Sequence, residues 1–257
     1  MAEQTRESTF SLLGIPIANI TMETALGRIL AAADAWNRDD PTTEMAFVNA
    51  HCINVAARDD TYREIVSGQS AVFADGSGIR KAGDMLGVPI VDNVNGTDMF
   101  PLLCSACAEA GKTLYLLGGR PGIAEKSAAW ADAHAGTAVV AGFHHGYLDS
   151  SSEQLVLQQI RELRPDILLV AMGVPMQELW IHAHREELAV PVSIGVGGLF
   201  DFYSGRIARA PGFLRRVGLE WAWRLLMEPR RMWKRYLVGN VVFMVRIWKI
   251  RRRGMRK

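Results

Sequence analysis

Six short, nearly continuous apolar runs recur along the first 205 residues, and each hands over to glycine or a small polar group. They fall at 45–48, 71–74, 113–117, 138–141, 167–172 and 192–196, and helical patterns separate most of them. A strand that is apolar on both faces needs cover on both faces. Alternation with helices supplies that cover, so the spacing predicts an α/β fold: a Rossmann-like, mostly parallel sheet with helices on both faces. One further strand is expected near residues 13–17, and Thr21 is placed to cap a helix running to about Trp36. At 257 residues and 49% hydrophobic, the chain can build a sizeable core and is not globally disordered.

The residues that follow these strands carry the chemistry. They read Asn49-Ala50-His51, Asp75-Gly76-Ser77-Gly78, Gly118-Gly119-Arg120-Pro121-Gly122, Gly146-Tyr147, Gly173-Val174-Pro175-Met176-Gln177-Glu178 and Gly197-Gly198-Leu199-Phe200-Asp201. Parallel α/β sheets bind ligands outside the carboxyl ends of their strands. Glycine turns there let backbone N–H groups and helix N-termini approach phosphate. A single such loop is more simply a tight turn; six on one edge point to a nucleotide site. No P-loop and no G-x-G-x-x-G is present, which weakens an oxidoreductase reading. No D-x-D is present either, so a metal-bridged diphosphate is not indicated. Arginine is the natural substitute, because its fork binds phosphate through bidentate, charge-assisted bonds.

Arginine is concentrated at the C-terminus. The net charge is only +2, yet residues 212–257 hold fourteen Lys or Arg against Glu220 and Glu228, leaving the rest net acidic. Such a tail suits an anionic membrane surface, phosphate or nucleic acid. Trp233, Leu237, Val241, Met244 and Trp248 form one apolar helical stripe. The apolar stretch 236–245 is too short to span a bilayer, so a helix lying in the interface is expected. The division expected is a catalytic domain over 1–208 and a basic, helical, membrane-binding appendage over 209–257. Deleting residues 212–257 should then abolish turnover and leave the core folded. The polar start and three cysteines fit a cytoplasmic protein without a signal peptide.

Several segments, in order, resemble the WecG/TagA/CpsF glycosyltransferases. They are Phe-Val-Asn-Ala-His (47–51), Ala-Asp-Gly-Ser-Gly (74–78), Val-Asn-Gly-Thr-Asp (94–98), Gly-Val-Pro-Met-Gln-Glu (173–178), Gly-Val-Gly-Gly-Leu-Phe-Asp (195–201), Arg-Ala-Pro (209–211), Gly-Leu-Glu-Trp (218–221) and Glu-Pro-Arg-Arg (228–231). The resemblance implies a UDP-sugar donor, a polyprenyl-diphosphate-linked saccharide acceptor, inversion, no cofactor and no required metal. It implies a peripheral enzyme on the inner face of the membrane, making exopolysaccharide or another surface polymer. No nucleic acid is expected as a partner, and a homo-oligomer is left open. It makes Asp75 the general base, Asn49 and Gln177 donor-sugar contacts and Asp201 a nucleoside contact. Arg224, Arg231 and Arg235 resemble the appendage arginines that face the diphosphate. Phe47 and Asn93 depart from the pattern of many relatives, where Thr and Arg stand; this resembles the xanthan-type branch, which adds glucose.

The residues themselves support parts of this. An inverting transfer needs a base for the acceptor hydroxyl. Asp75 has the right type and place, although it could instead cap the next helix. N–H groups at Gly118-Gly119 and Gly197-Gly198 could meet the departing charge, with Tyr147 and Glu178 completing the donor set. A nucleic-acid-binding protein using the basic tail is the rival from another class. Cys104 and Cys107 are read as buried thiols, His182 and His184 as pointing apart, His145 as loop filler, and the pairs Asp39-Asp40 and Asp59-Asp60 as helix ends.

Overall fold

The six apolar runs become strands of one sheet in the computed structural model, which describes residues 8–38 and 40–254. The N-terminal expectation and Asp39 lie outside the described residues. The chain opens with β1 (Ser8–Leu12), β2 (Ile15–Asn19), α1 (Met22–Ala35), β3 (Thr43–Val48), α2 (Ala50–Ala56), α3 (Asp60–Ser67) and β4 (Ala71–Ala74). It continues through α4 (Ser77–Leu86), α5 (Gly96–Ala110), β5 (Leu114–Gly118), α6 (Ile123–Ala135), β6 (Val140–His144), α7 (Ser150–Leu163), β7 (Ile167–Ala171) and α8 (Met176–His184). After β8 (Val192–Gly195) and α9 (Leu199–Tyr203) come α10 (Gly212–Arg216), α11 (Glu220–Met227), α12 (Pro229–Trp233), a π-helical turn (Lys234–Val238) and α13 (Gly239–Gly254).

Among the described residues the sheet has eight strands in the order β1-β2-β4-β3-β8-β7-β5-β6. All neighbours pair in parallel except β1 and β2. Alternation explains the continuous apolar runs. Met45, Phe47, Ala71, Phe73, Leu114, Leu116, Ile167 and Leu169 pack under α1, α5 and α6. Their neighbours Val48, Val72 and Ala74 face α2, α3 and α4, while Tyr115, Leu117, Leu168 and Val170 face α7 and α8. Both faces are buried, as a parallel sheet requires.

Two strand boundaries differ from expectation. The single strand over 13–17 is a hairpin: Leu13 and Gly14 turn with φ of 55° and 87°, and Leu12 pairs with Ile15. Positive φ at both central positions is the requirement of a type I′ hairpin turn, and a leucine there gives no sequence signal. The run at 138–141 starts its strand later. Asp132 accepts from the N–H groups of Val139 and Val140 at 2.8 and 3.0 Å, and β6 is an edge strand, where an unbroken apolar run is not needed. Thr21 caps α1 as expected, accepting from the Thr24 N–H at 3.2 Å.

The tail is two-faced. Phe243 and Ile247 of α13 are buried in one core with Phe10, Leu12, Ile53 and Ile79. Most of the stripe expected from the sequence lies on the other side: Trp233, Leu237, Val241 and Trp248 stay exposed, Val241 at 63%, whereas Met244 is half-buried against the core. α13 thus completes the α/β core, packing on α2 and α4, and cutting the chain at 212 would uncover the apolar faces of those helices rather than leave an intact body. We expect Phe243→Ala to destabilise the protein by about 3–5 kcal/mol, the usual cost of emptying a buried phenylalanine site. Chemical denaturation checks this; a change below about 1 kcal/mol would mean that α13 is only loosely applied.

Candidate functional site

β3 and β8 are neighbours, but α2 covers one face of the sheet and α9 the other. Their loops part at the carboxyl edge and leave a crevice, the usual ligand position in such sheets. A cavity of about 530 Å³ opens there. Its lining draws on the loops after β3, β4, β5, β6, β7 and β8, so the strand-end segments do converge. Arginines of the tail close it: Arg224, Arg231 and Arg235 all line this cavity.

Asp75 follows β4. Its carboxylate accepts from Asn49 Nδ2 at 3.0 Å, and it is not a helix cap, since Gly76 holds that position for α4. Asn49 in turn caps α2, its Oδ1 accepting from the His51 N–H at 3.0 Å. One amide therefore orients the carboxylate and starts a helix. Burial pushes the Asp75 carboxyl above its usual range, opposed by the Asn49 hydrogen bond and by the charges of Arg235 and Arg224. A raised carboxylate is a better proton acceptor near neutral pH.

Gln177 braces the two loops opposite. Its Oε1 accepts from the N–H groups of Gly173 at 3.2 Å and Gly197 at 2.9 Å, and its Nε2 donates to Glu178 Oε1 at 2.8 Å. Glu178 is fully buried, its Oε2 has no partner, and burial pushes its carboxyl up to about 7 from 4.5. The folded state therefore holds this proton more tightly than the unfolded chain. The stability it contributes is complete below pH 4.5 and is lost as pH rises through about 7. A shift of that size corresponds to about 3 kcal/mol. Glu178→Gln should therefore flatten the fall in melting temperature between these pH values; parallel curves for both proteins would remove the assignment.

The arginines are held by packing and by polar contacts. The Arg224 guanidinium packs against Gly198, which leaves no room for a Cβ, and lies 5.0 Å over the Phe202 ring. Arg231 reaches Glu228 Oε1 at 3.2 Å. Arg235 sits in the π-helical turn over Tyr236, and its buried Nε has no protein partner. Such turns often occur at functional sites.

A second cavity of about 520 Å³ lies between α2, α4 and the tail. Trp221, Leu237, Val241, Phe243 and Met244 give it an apolar wall, and Lys81 and Arg215 add charge. Asn49, Asp75, Thr97, Phe202, Arg224 and Arg235 line both cavities. The catalytic candidate thus stands where two ligand spaces meet.

A family model described as "Glycosyl transferase WecG/TagA/CpsF family" matches residues 10–257. This chain belongs to that family. Within it, the chain is similar to an N-acetylglucosaminyldiphosphoundecaprenol N-acetyl-beta-D-mannosaminyltransferase of Staphylococcus aureus (strain MW2), 28% identical over 98% of this chain and 96% of the relative. A Bacillus subtilis (strain 168) protein of the same name is 32% identical over 74% of this chain and 73% of its own. Membership makes the chain a glycosyltransferase and ends the oxidoreductase reading. Neither relative is named for glucose, so the xanthan-type branch gains no support from them.

Of the site residues expected from the sequence, Asn49, Asp75, Gly119, Tyr147, Gln177, Gly197, Asp201, Arg224, Arg231 and Arg235 line the first cavity. Gly118 and Glu178 do not. Gly118 has φ of 145° and lies against the Ala171 backbone, and Glu178 lies behind Gln177. Phe47 also lines the first cavity, while Asn93 lines the second and accepts from the Gly76 N–H at 2.6 Å. The sequence reading missed Arg206, which follows the Gly205 turn, and His51, held down to about 4 by burial and Arg235 and therefore neutral at pH 7. His51 stands in the strand-end segment 49–51 but was given no role there, and Arg206 stands in no stretch whose spacing singles it out. Cys104 and Cys107 are buried, with thiols pushed up to about 12 by burial. His182 meets Glu44 at 3.0 Å, whereas His184 meets Glu153 at 3.4 Å, so the two point to different partners. Asp59 caps α3, accepting from the Tyr62 N–H at 2.9 Å.

Proposed function

We propose that this chain transfers a hexose or N-acetylhexosamine, with inversion and without a metal ion, from a UDP-sugar to a polyprenyl-diphosphate-linked saccharide. The observation that carries the reading is Asp75, oriented by Asn49 and shared by two cavities. The first, with its glycine loops and arginines, suits a nucleotide sugar. The second, apolar with cations at its edge, suits a lipid diphosphate carrying a sugar. Asp75 accepts the proton of the acceptor hydroxyl as that oxygen bonds the anomeric carbon. The bond to the nucleoside diphosphate breaks on the far side, and Arg224, Arg231 and Arg235 meet the charge that develops. Arginines here take the part that a divalent cation plays where a D-x-D is present. The curated relatives, named for an undecaprenol-diphosphate substrate, support this acceptor class.

The exposed face of the tail supports action at the inner face of the membrane. Trp233, Leu237, Val241 and Trp248 project from it, Arg252 lies 3.8 Å over the Trp248 ring, and Arg251 and Arg253 flank it. Each basic group near an anionic surface contributes about 1 kcal/mol. No helix among the described residues is long and apolar enough to cross a membrane.

A panel of UDP-sugars, offered with undecaprenyl-type diphosphate-linked N-acetylglucosamine with and without chelator, tests the reading. One donor should be transferred at the same rate in both conditions. Loss of transfer with chelator overturns metal independence, and no transfer from any UDP-sugar overturns the donor class.

A further inference from the structure

Three arginines and two carboxylates form one ionic network beside the first cavity. Arg206 Nη1 lies 2.8 Å from Asp201 Oδ1, and its Nη2 donates to Glu228 Oε1 at 3.0 Å. Arg231 Nη1 lies 3.2 Å from Glu228 Oε1 and 3.6 Å from Asp201 Oδ2. Arg224 makes looser approaches, 3.7 Å to Asp201 and 3.9 Å to Glu228. Asp201 is on α9, in the body; Glu228 sits between α11 and α12, in the tail. Gly205, with φ of 74°, reverses the chain after α9, and the Ile207 N–H bonds the Asp201 carbonyl at 2.9 Å. This reversal folds Arg206 back over the Asp201 carboxylate.

The pattern of distances has a chemical meaning. The side chains of Asp201 and Glu228 are nearly buried, at 10% and 13% exposure, and such carboxylates must be compensated. Arg206 gives each of them its shortest contact to a cation. Arg224 stays on longer contacts, and Arg231 meets these carboxylates through Nη1 alone, so both keep N–H groups for an incoming anion. Glu228 is held below its usual range despite burial, by Arg231 and the Arg206 hydrogen bond, so it stays ionised and able to capture a free arginine.

We infer that Arg206 is a positioning residue: it occupies Asp201 and Glu228 so that these carboxylates do not draw Arg224 and Arg231 away from the diphosphate of the donor. The inference rests on the proposed UDP-sugar reaction. Without Arg206, the two carboxylates compete with the diphosphate for the same guanidinium groups, and the effect falls on the step in which charge develops.

Steady-state kinetics of the full chain, with melting temperatures, tests this on Arg206→Gln, Arg206→Lys and the double variant Arg206→Gln/Glu228→Gln. Arg206→Gln should lower kcat more than tenfold and change the donor KM less than threefold. Arg206→Lys should recover part of kcat. The double variant, lacking one competing carboxylate, should be faster than Arg206→Gln alone, although it has also lost the ion pairs of Glu228 with Arg231 and Arg224. A purely structural tie predicts the reverse, a further loss in the double variant, and that result overturns the inference. So does an unchanged kcat in Arg206→Gln, or a rise confined to KM, which would make Arg206 a direct donor ligand. Calorimetry of the wild-type chain with UDP separates the two levels: no binding of UDP rejects the donor reading itself, whereas UDP binding with no rescue rejects only the role of Arg206.

Discussion

Asp75→Asn is expected to lower kcat by about 10²–10⁴-fold, the range that a positioned general base contributes. Asparagine keeps the shape and can still accept the Asn49 hydrogen bond, so donor KM should change little. Stability gives a control with opposite sign. Burial raises the Asp75 carboxyl in the folded state, so ionising it opposes folding as pH rises above its unfolded value of 3.8. The Asn variant should therefore melt no lower than wild type at neutral pH. In the wild type, kcat/KM should rise with pH through a group above the ordinary carboxylate range, and this limb should vanish in the variant. A folded variant with normal turnover removes Asp75 from the chemistry.

Arg224→Gln should be the next most damaging change, with kcat reduced by about 10²–10³-fold, the cost of deleting one preorganised donor to a developing anion. Arg224 borders both cavities, packs on Gly198 and lies over Phe202, so its fork is fixed before substrate arrives. Arg224→Lys should recover little, because an ammonium neither stacks in that slot nor makes two parallel bonds. The loss should appear in kcat more than in donor KM, as expected for an interaction strengthened in the transition state. Full rescue by lysine would show that only net charge matters there.

Much of this site was legible in the amino-acid order because its parts are local. Continuous apolar runs imply a sheet covered twice, and glycines after each run imply loops that admit a ligand. The family pattern then singled out Asp75 and the arginines. What was hidden depends on distance in the chain. Of the hydrophobic stripe expected in the tail, all but Met244 is exposed, but the opposite face was not recognised as core, because Phe243 and Ile247 gain their meaning only from α2 and α4, far earlier in the chain. Gln177 was expected to touch sugar; its hydrogen bonds to Gly173, Gly197 and Glu178 show an architectural duty that spacing does not express. Arg206 was overlooked because a lone arginine after a glycine has no pattern, whereas its two carboxylates lie 5 and 22 positions away.

α13 is at once interior wall and outer skin. On the membrane orientation proposed above, its buried side is fixed to α2 and α4 while its outer side meets lipid. The depth at which the protein floats then becomes a fixed dimension of the molecule, and so does the height of the reaction centre above the headgroups. A glycan borne on a lipid can present its terminal hydroxyl at that level only when it has the right number of sugars, so chain length would be chosen by altitude as well as by contact.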